Sequence, residues 1–250
     1  MTTVSATALA GLPEVVPGAD LAELILAAGA DLRDEDVLVI AHKVVSKAEG
    51  RLRSLADVEA SPRALQLAAE LGKNDPRHVQ VVLEESREVL RAAHGVLISV
   101  THHGFVCANA GVDASNVPGE DWVVLLPRDP DGAARALRSR LRELAGASPA
   151  ILITDSFGRA WRHGQTDVAI GCAGLVPLED YRGSRDYAGR ELRATWIAIA
   201  DELAAAADLA RTKEGRQPVV RVQGAARYIT RDDGPGAQAL LRPAAQDLFR

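Results

Sequence analysis

Residues 151 to 165, ILITDSFGRAWRHGQ, set a short apolar strand directly against an acid and a hydroxyl, Asp155 and Ser156. A loop carrying Arg159, Arg162 and His163 follows at once. Such a mixture at one strand end suits a divalent metal held between protein oxygens and substrate phosphates, because a hard cation takes oxygen ligands and phosphate charge takes guanidinium partners. A polar turn after a buried strand would account for Asp155 by itself, since Asp is a common turn residue. The three basic side chains within positions 156–163 favour the ligand site over the turn.

A second segment points the same way. GFVCANAGVDASNVPGED, residues 104–121, is rich in small residues and turn formers, with Asp113, Ser115 and Asn116 following Gly111. Glycine lets the backbone approach a ligand closely, Asp113 is free to ligate a metal, and Asn116 can both donate and accept. Taken by itself the segment reads equally well as an Asx-turn loop between two strands. Joined to the Asp155 region, it makes a candidate two-carboxylate magnesium or manganese site.

Net charge narrows the ligand. At 250 residues and 47% hydrophobic, the chain is long enough for one large domain or two smaller ones with a substantial core. Its formal charge of −5 argues against a general nucleic-acid binder, which would carry a basic face, so the local basic loops point to a small phosphorylated ligand. Cys107 and Cys172 each lie in a short apolar segment and form neither a disulfide framework nor a CxxC metal site, so buried reduced thiols are expected. The start MTTVSATALAGLPEV lacks the pattern of a secretory signal, and no run approaches the ~18 apolar residues needed to span a bilayer. The expectation is a cytoplasmic protein with no membrane partner.

The elements follow from periodicity and caps. After a short N-terminal strand, Pro17 and Gly18 turn the chain and Asp20 caps a helix with Leu21, Leu24, Ile25 and Ala28 on one face, ended at Gly29. Val37 to Ala41 is an apolar strand leading into His42, Lys43, Ser46 and Lys47. Residues 62–74 read as a helix opened by Ser61 and Pro62, and HVQVVLEES alternates as a half-buried strand. GVLISVT and GFVCANA predict two strands joined by Thr101 to His103, with WVVLLP as another. Asp129 and Pro130 open a helix with Ala134, Leu137, Leu141 and Leu144 inward, stopped at Gly146. ILIT and VAIGCAG are strands around the Asp155 loop. The longest helix is expected from about Leu192 to Ala210, its stripe of Leu192, Trp196, Ile199 and Leu203 serving core or dimer packing. VVRV, 219–222, is a late strand, and the C-terminal segment is a Pro/Gly turn with a short helix. This order predicts an α+β fold with mixed and antiparallel sheets and packed helices.

Neither GxxxxGK[ST] nor GxGxxG occurs, which closes the Walker and Rossmann routes to nucleotide binding. Four blocks in order, GLPEVVPG, HKVVSKAEGR, HGFVCANAGVDASNVP and ITDSFGRAWRHGQTDVAIGCAGL, resemble the coenzyme F420-0:L-glutamate ligase family, and the likeness extends from residue 9 to the C-terminus. The resemblance implies an intertwined homodimer and a GTP-dependent enzyme. It would join L-glutamate by amide bonds to the carboxylate of coenzyme F420-0, a deazaflavin precursor, using magnesium or manganese and sometimes potassium. It places a guanine-nucleotide segment on Leu12, Pro13, Glu14 and Val15, further GTP contacts on His42, Lys47 and Asn116, and metal ligands on Asp113, Asp155 and Ser156.

Two positions depart from that family's pattern. A serine is usual where His42 stands, and RTKE at 211–214 replaces a Gly-Gln pair, so no ligand is carried to that stretch. The C-terminal segment also resembles the point at which two-domain relatives continue into a nitroreductase-like flavin domain. Residues 1–250 are expected to hold the ligase domain, as one unit or two intertwined subdomains, without flavin chemistry. The chemistry expected is phosphoryl transfer from GTP to the acceptor carboxylate, giving an acyl phosphate that the glutamate amine displaces, with Lys47, Arg159 and Arg162 as clamps. A metal-dependent nucleotide phosphohydrolase would need the same metal and cations, and a non-catalytic binder of the precursor is a third reading.

Overall fold

Two strands that share an unbroken apolar stretch, Val37–Ala41 and residues 150–153, organise the molecule. In the computed structural model, which describes residues 3–211 and 215–247, β2 (Val37–Ala41) and β8 (Ala150–Arg159) pair in parallel from Val37 opposite Ala150 to Ala41 opposite Thr154. Successive residues of a strand face opposite sides, so an unbroken apolar run requires cover on both. Leu38, Ile40, Ile151 and Ile153 face one side with Ile25 of α1 (Leu21–Ala27) and Leu137 and Leu141 of α5 (Pro130–Ala145). Val37, Val39, Ala150 and Leu152 face the other with Ile199 and Leu203 of α6 (Ile199–Asp208). The sheet is completed by β1 (Ser5–Ala8), β12 (Val219–Gln223) and β9 (Arg162–Ala173), in the order β1-β12-β2-β8-β9. Every other pairing in it is antiparallel.

The chain between Leu55 and Leu125 supplies a second core. After α2 (His42–Ala48), β3 (Leu52–Ser54) pairs with β7 (Trp122–Val124), and β4 (Ser86–Ala93), β5 (Val96–Thr101) and β6 (Val106–Ala108) form an antiparallel sheet. Leu67 of α3 (Pro62–Leu71), Val79 and Val82 of α4 (Pro76–Glu84), Leu97 and Val123 pack together there. A small ribbon of β10 (Glu179–Asp180) and β11 (Trp196–Ile197) precedes α6. The result is the expected α+β architecture with a mixed sheet. Among the described residues, no helix is long and apolar enough to cross a membrane.

Capping residues set most helix starts as the sequence predicts. Asp20 accepts from the amides of Ala22 and Glu23, Ser61 from Ala64 at 3.2 Å, and Asp129 from Gly132 at 2.9 Å. Gly72 and Gly146, both left-handed, end α3 and α5. Four expectations are corrected. HVQVVLEES is helical: Asp75 accepts the amide of Arg77 and Pro76 opens α4, which buries Val79 and Val82 three positions apart, and the strand starts only at Ser86. The helix expected from Leu192 begins at Ile199, because the Leu192 and Thr195 carbonyls accept from Gly183 and Tyr181 of the preceding loop. Trp196 therefore lies in β11, 46% exposed, with the Arg182 guanidinium 4.1 Å from its ring centroid. Leu144 of α5, the longest helix among the described residues, is exposed rather than inward. The C-terminal segment makes 3-10 turns at Ala237–Leu240 and Ala244–Gln246 in place of an α-helix; residues 248–250 lie outside the described residues.

Gly171 shows how tightly α5 lies on the sheet. A Cβ placed there would stand 2.4 Å from the carbonyl oxygen of Pro130, at the start of α5. Gly171→Ala is therefore expected to destabilise the fold by about 1–3 kcal/mol, the usual cost of overpacking a filled core. Its midpoint in urea unfolding should fall while the denaturant slope stays unchanged.

Candidate functional site

The site opens where the central pairing stops. β2 ends at Ala41, opposite Thr154, whereas β8 continues to Arg159, so Asp155 and Ser156 lie on a strand edge that β2 no longer covers. Asp155 is thus a strand residue and not the first residue of a loop, which corrects the sequence reading; the turn lies further on, at Ala160 and Trp161. On the other side of β2, the Pro218 carbonyl accepts the Ala41 amide at 2.9 Å and brings the segment before β12 to the same place. A cavity of about 960 Å³ fills this gap. Leu12, Pro13, Glu14 and Val15 line it from the N-terminal segment, His42 and Lys47 from α2, Asp113 and Asn116 from the loop after β6, and Asp155 and Ser156 from β8. The residues expected to bind GTP and metal therefore share one wall system.

Ion pairs join these elements. Lys43 Nζ lies 2.6 Å from Asp113 Oδ2 and donates to Ser115 Oγ at 2.5 Å, while the Ser115 amide donates to Asp113 Oδ1 at 2.7 Å. Burial pushes the Asp113 carboxyl up, but Lys43 and Ser115 more than offset this and hold it below the usual Asp value. The next residue back, His42, is buried, with Nε2 3.3 Å from Asp155 Oδ1 and Nδ1 3.3 Å from Ser46 Oγ. Its Nε2 makes no aligned hydrogen bond among the described residues. Asp113 and Asp155, 42 positions apart, thus contact consecutive residues at the start of α2. Lys47 is buried and paired with the exposed Glu14.

Gly111 serves packing in place of the ligand approach its flexibility suggested. A Cβ there would stand 2.7 Å from Leu126 Cγ, so the missing side chain makes room for the core, at a left-handed φ of 72°. Arg159 and Arg162 are placed apart from the cavity, paired with each other at the exposed end of the β8–β9 hairpin. Arg159 Nη2 donates to the His163 carbonyl at 3.2 Å and lines a separate shallow hollow with Trp196 and Asp201.

Among the cavity-lining residues that sequence reasoning missed are Thr154, Asp167 and Arg211. A β-bulge shifts the β8–β9 register between Ile153 and Thr154, and beyond it Asp167 stands directly across from Ser156. No local pattern in QTDVAI announces this, because it depends on which residue of one strand meets which of the other. Arg211 sits in the stretch to which no ligand was carried; residues 212–214 of that stretch lie outside the described residues.

The oxygen donors suit a hard divalent ion. Among the described residues no three His, Cys, Asp or Glu side chains cluster to hold a metal by themselves. A site with one or two carboxylates could hold a magnesium ion only together with phosphate oxygens and water. The thiols play no part: Cys107 and Cys172 are free and buried, and burial raises both to about 12.

Comparison with known proteins identifies relatives along nearly the whole chain. Residues 11–224 match the family model described as F420-0:Gamma-glutamyl ligase. A protein of Methanothermobacter thermautotrophicus named coenzyme F420:L-glutamate ligase is 46% identical over 253 aligned positions, covering 99% of both chains. One of the same name from Methanopyrus kandleri is 49% identical over 95% of this chain and 94% of its own. A third, from Haloarcula marismortui, is 45% identical over 97% of this chain and 94% of its own. By sequence along nearly its whole length, the chain belongs to the F420-0:gamma-glutamyl ligase family.

Proposed function

We propose that this chain forms an amide bond between L-glutamate and the carboxylate of coenzyme F420-0, with GTP as the phosphoryl donor. The observation that carries the reading is the convergence of Asp113, Asp155, Lys47 and the Leu12–Val15 segment on one cavity, in a chain of this family. A free carboxylate resists attack by an amine, because it is anionic and has no good leaving group. Transfer of the γ-phosphoryl of GTP to a carboxylate oxygen gives an acyl phosphate and GDP. The glutamate amine then attacks the acyl carbon, the C–O bond to phosphate breaks, the amine loses a proton, and inorganic phosphate leaves.

The cavity residues divide between holding and neutralising. Asp113, Asp155 and Ser156 would hold magnesium or manganese, which supplies charge neutralisation for phosphate oxygens when bound. Lys43 rests on Asp113, and with that carboxylate engaged in holding the ion its ammonium would be available to phosphate oxygens. Lys47 from α2 and Arg211 and Arg216 from the segment before β12 supply positive charge within the cavity. Arg159 and Arg162 act as clamps only if a substrate or a second subunit reaches the hairpin end. The exposed Tyr187 supports the homodimer reading, since a large aromatic ring left in water favours cover by a partner. Potassium binding and a cytoplasmic setting belong to the same reading.

The reaction is tested by incubating the protein with F420-0, GTP, magnesium and glutamate and weighing the products. Amide product should appear one-for-one with GDP and only when glutamate is present. GDP without glutamate would replace the reading by nucleotide hydrolysis, and tight binding of F420-0 without turnover would make the protein a carrier. Asp113→Ala and Asp155→Ala are each expected to slow GDP formation at least ~100-fold at saturating substrates, as removal of single electrostatic groups does in other active sites. An unchanged rate in either variant removes that aspartate from the site. Lys47→Met should weaken GDP binding, read by calorimetry, by about 10-fold or more, the worth of one charge-assisted phosphate contact.

A further inference from the structure

We infer that His42 is a positioning residue for Asp155: its ring edge holds one carboxylate oxygen against the protein, so that the other is presented to the ion. The inference rests on the reading of Asp155 as a ligand to a divalent ion. His42 opens α2 and is 2% exposed, with Nε2 3.3 Å from Asp155 Oδ1 and Nδ1 3.3 Å from Ser46 Oγ, one turn further along the helix. Ser46 is itself wholly buried, so the ring is held from behind. The Ser156 amide donates to the same Asp155 Oδ1 at 2.8 Å. Oδ2 makes no hydrogen bond or ion pair among the described residues.

Which ring nitrogen carries hydrogen follows from charge. A bare nitrogen turned towards a carboxylate oxygen would set a lone pair against an anion, whereas an N–H attracts it, so Nε2 carries hydrogen whether or not Nδ1 does. The N–H is not in line with Oδ1 and so falls short of a full hydrogen bond. A buried donor in that position is costly. Turning the carboxylate away from His42 raises the cost, and turning Oδ1 into line lowers it, so the side chain is biased to one orientation. With an amide and an imidazole both directed at Oδ1, a cation meets Oδ2. Backbone register supplies the placement: Ala41 at the end of β2 lies opposite Thr154, so the next residue, His42, is delivered to the first β8 side chain beyond the shared ladder. Asp155 is itself fixed on extended backbone paired with Val168. A histidine serving packing alone would stabilise the fold and leave ion binding untouched.

The two roles separate in calorimetry of GDP binding to the full chain, run once with Mn²⁺ and once with EDTA, since an ion shared between protein and phosphate shows itself in the ratio of the two affinities. His42→Leu keeps most of the bulk and removes the N–H. The enhancement of GDP binding by Mn²⁺ should then fall by about 10–100-fold, the usual effect of losing a group that orients a metal ligand. The affinity in EDTA should stay that of the wild type, because no ion is then present to be oriented. His42→Gln, whose amide reaches about as far as Nε2, should keep the enhancement. His42→Leu added to Asp155→Ala should cost nothing more, because His42 acts through Asp155. Full enhancement in His42→Leu, or a further loss in the double variant, would overturn the inference. So would an equal loss of GDP affinity with and without the ion, which would make His42 a nucleotide contact alone. Full enhancement in Asp155→Ala would overturn the ligand reading beneath it. Should His42→Leu not fold, His42→Asn takes its place against His42→Gln: the shorter amide stays near Ser46 and falls short of Asp155, so it is expected to lose the enhancement that glutamine keeps. Equal enhancement in those two variants overturns the inference in the same way.

Discussion

Unequal strand length is the constraint on which the rest of the molecule turns. β2 and β8 run side by side through five residue pairs, buried on both faces by helices that their apolar side chains require. β2 then stops and β8 goes on. Had both strands ended together, Asp155 and Ser156 would lie in a surface turn; had both continued, their edge would be consumed by ladder hydrogen bonds. The mismatch leaves polar groups on rigid backbone beside a gap, which suits the holding of charged ligands better than a loop does. It also puts the gap at the carboxyl ends of adjacent parallel strands, the usual ligand position in open sheets.

Charge is arranged around that gap in compensated pairs. Lys43 meets Asp113, Lys47 meets Glu14, and Arg211 meets Asp167. Burying an isolated ion is costly, and each pair lowers that cost. The pairs differ in cover: Asp113 is 41% exposed by its side chain, whereas Asp167 is almost wholly enclosed. Solvent can therefore help to part Lys43 from Asp113 when a ligand arrives, while the Arg211–Asp167 pair behaves as part of the framework.

Where a local signal exists, the sequence proved readable. The apolar runs of β2 and β8, the caps at Asp20, Ser61 and Asp129, and the stop at Gly146 are each decided by a few neighbouring residues, whereas the helix read over 62–74 stops earlier, at the left-handed Gly72. Around HVQVVLEES two periods compete over nine residues, and the start signal at Asp75 and Pro76 outweighs the alternation. The stripe through Leu192 and Trp196 failed because a loop had already claimed the carbonyls that a helix would need. Within the site, the cavity brings together Asp113, Asp155 and the Leu12–Val15 segment, marked by motif resemblance. Asp167 carried no such mark, since only strand register places it against Ser156. Arg159 and Arg162 looked near to Asp155 because they are close in sequence, yet several residues of extended strand carry them away from it.

The overhang of β8 has another cost. Beyond Thr154 that strand has no sheet neighbour on the β2 side, and β9 is the last strand of the sheet; Asp201 and Asp131 take the β9 amides of Ala169 and Cys172, but the far part of the hairpin has no further strand beside it. Arg159 and Arg162 sit at that tip, where like charges on two copies repel. An overhanging strand is thus also a place where two copies could pair, and the arginines put repulsion where such pairing would begin.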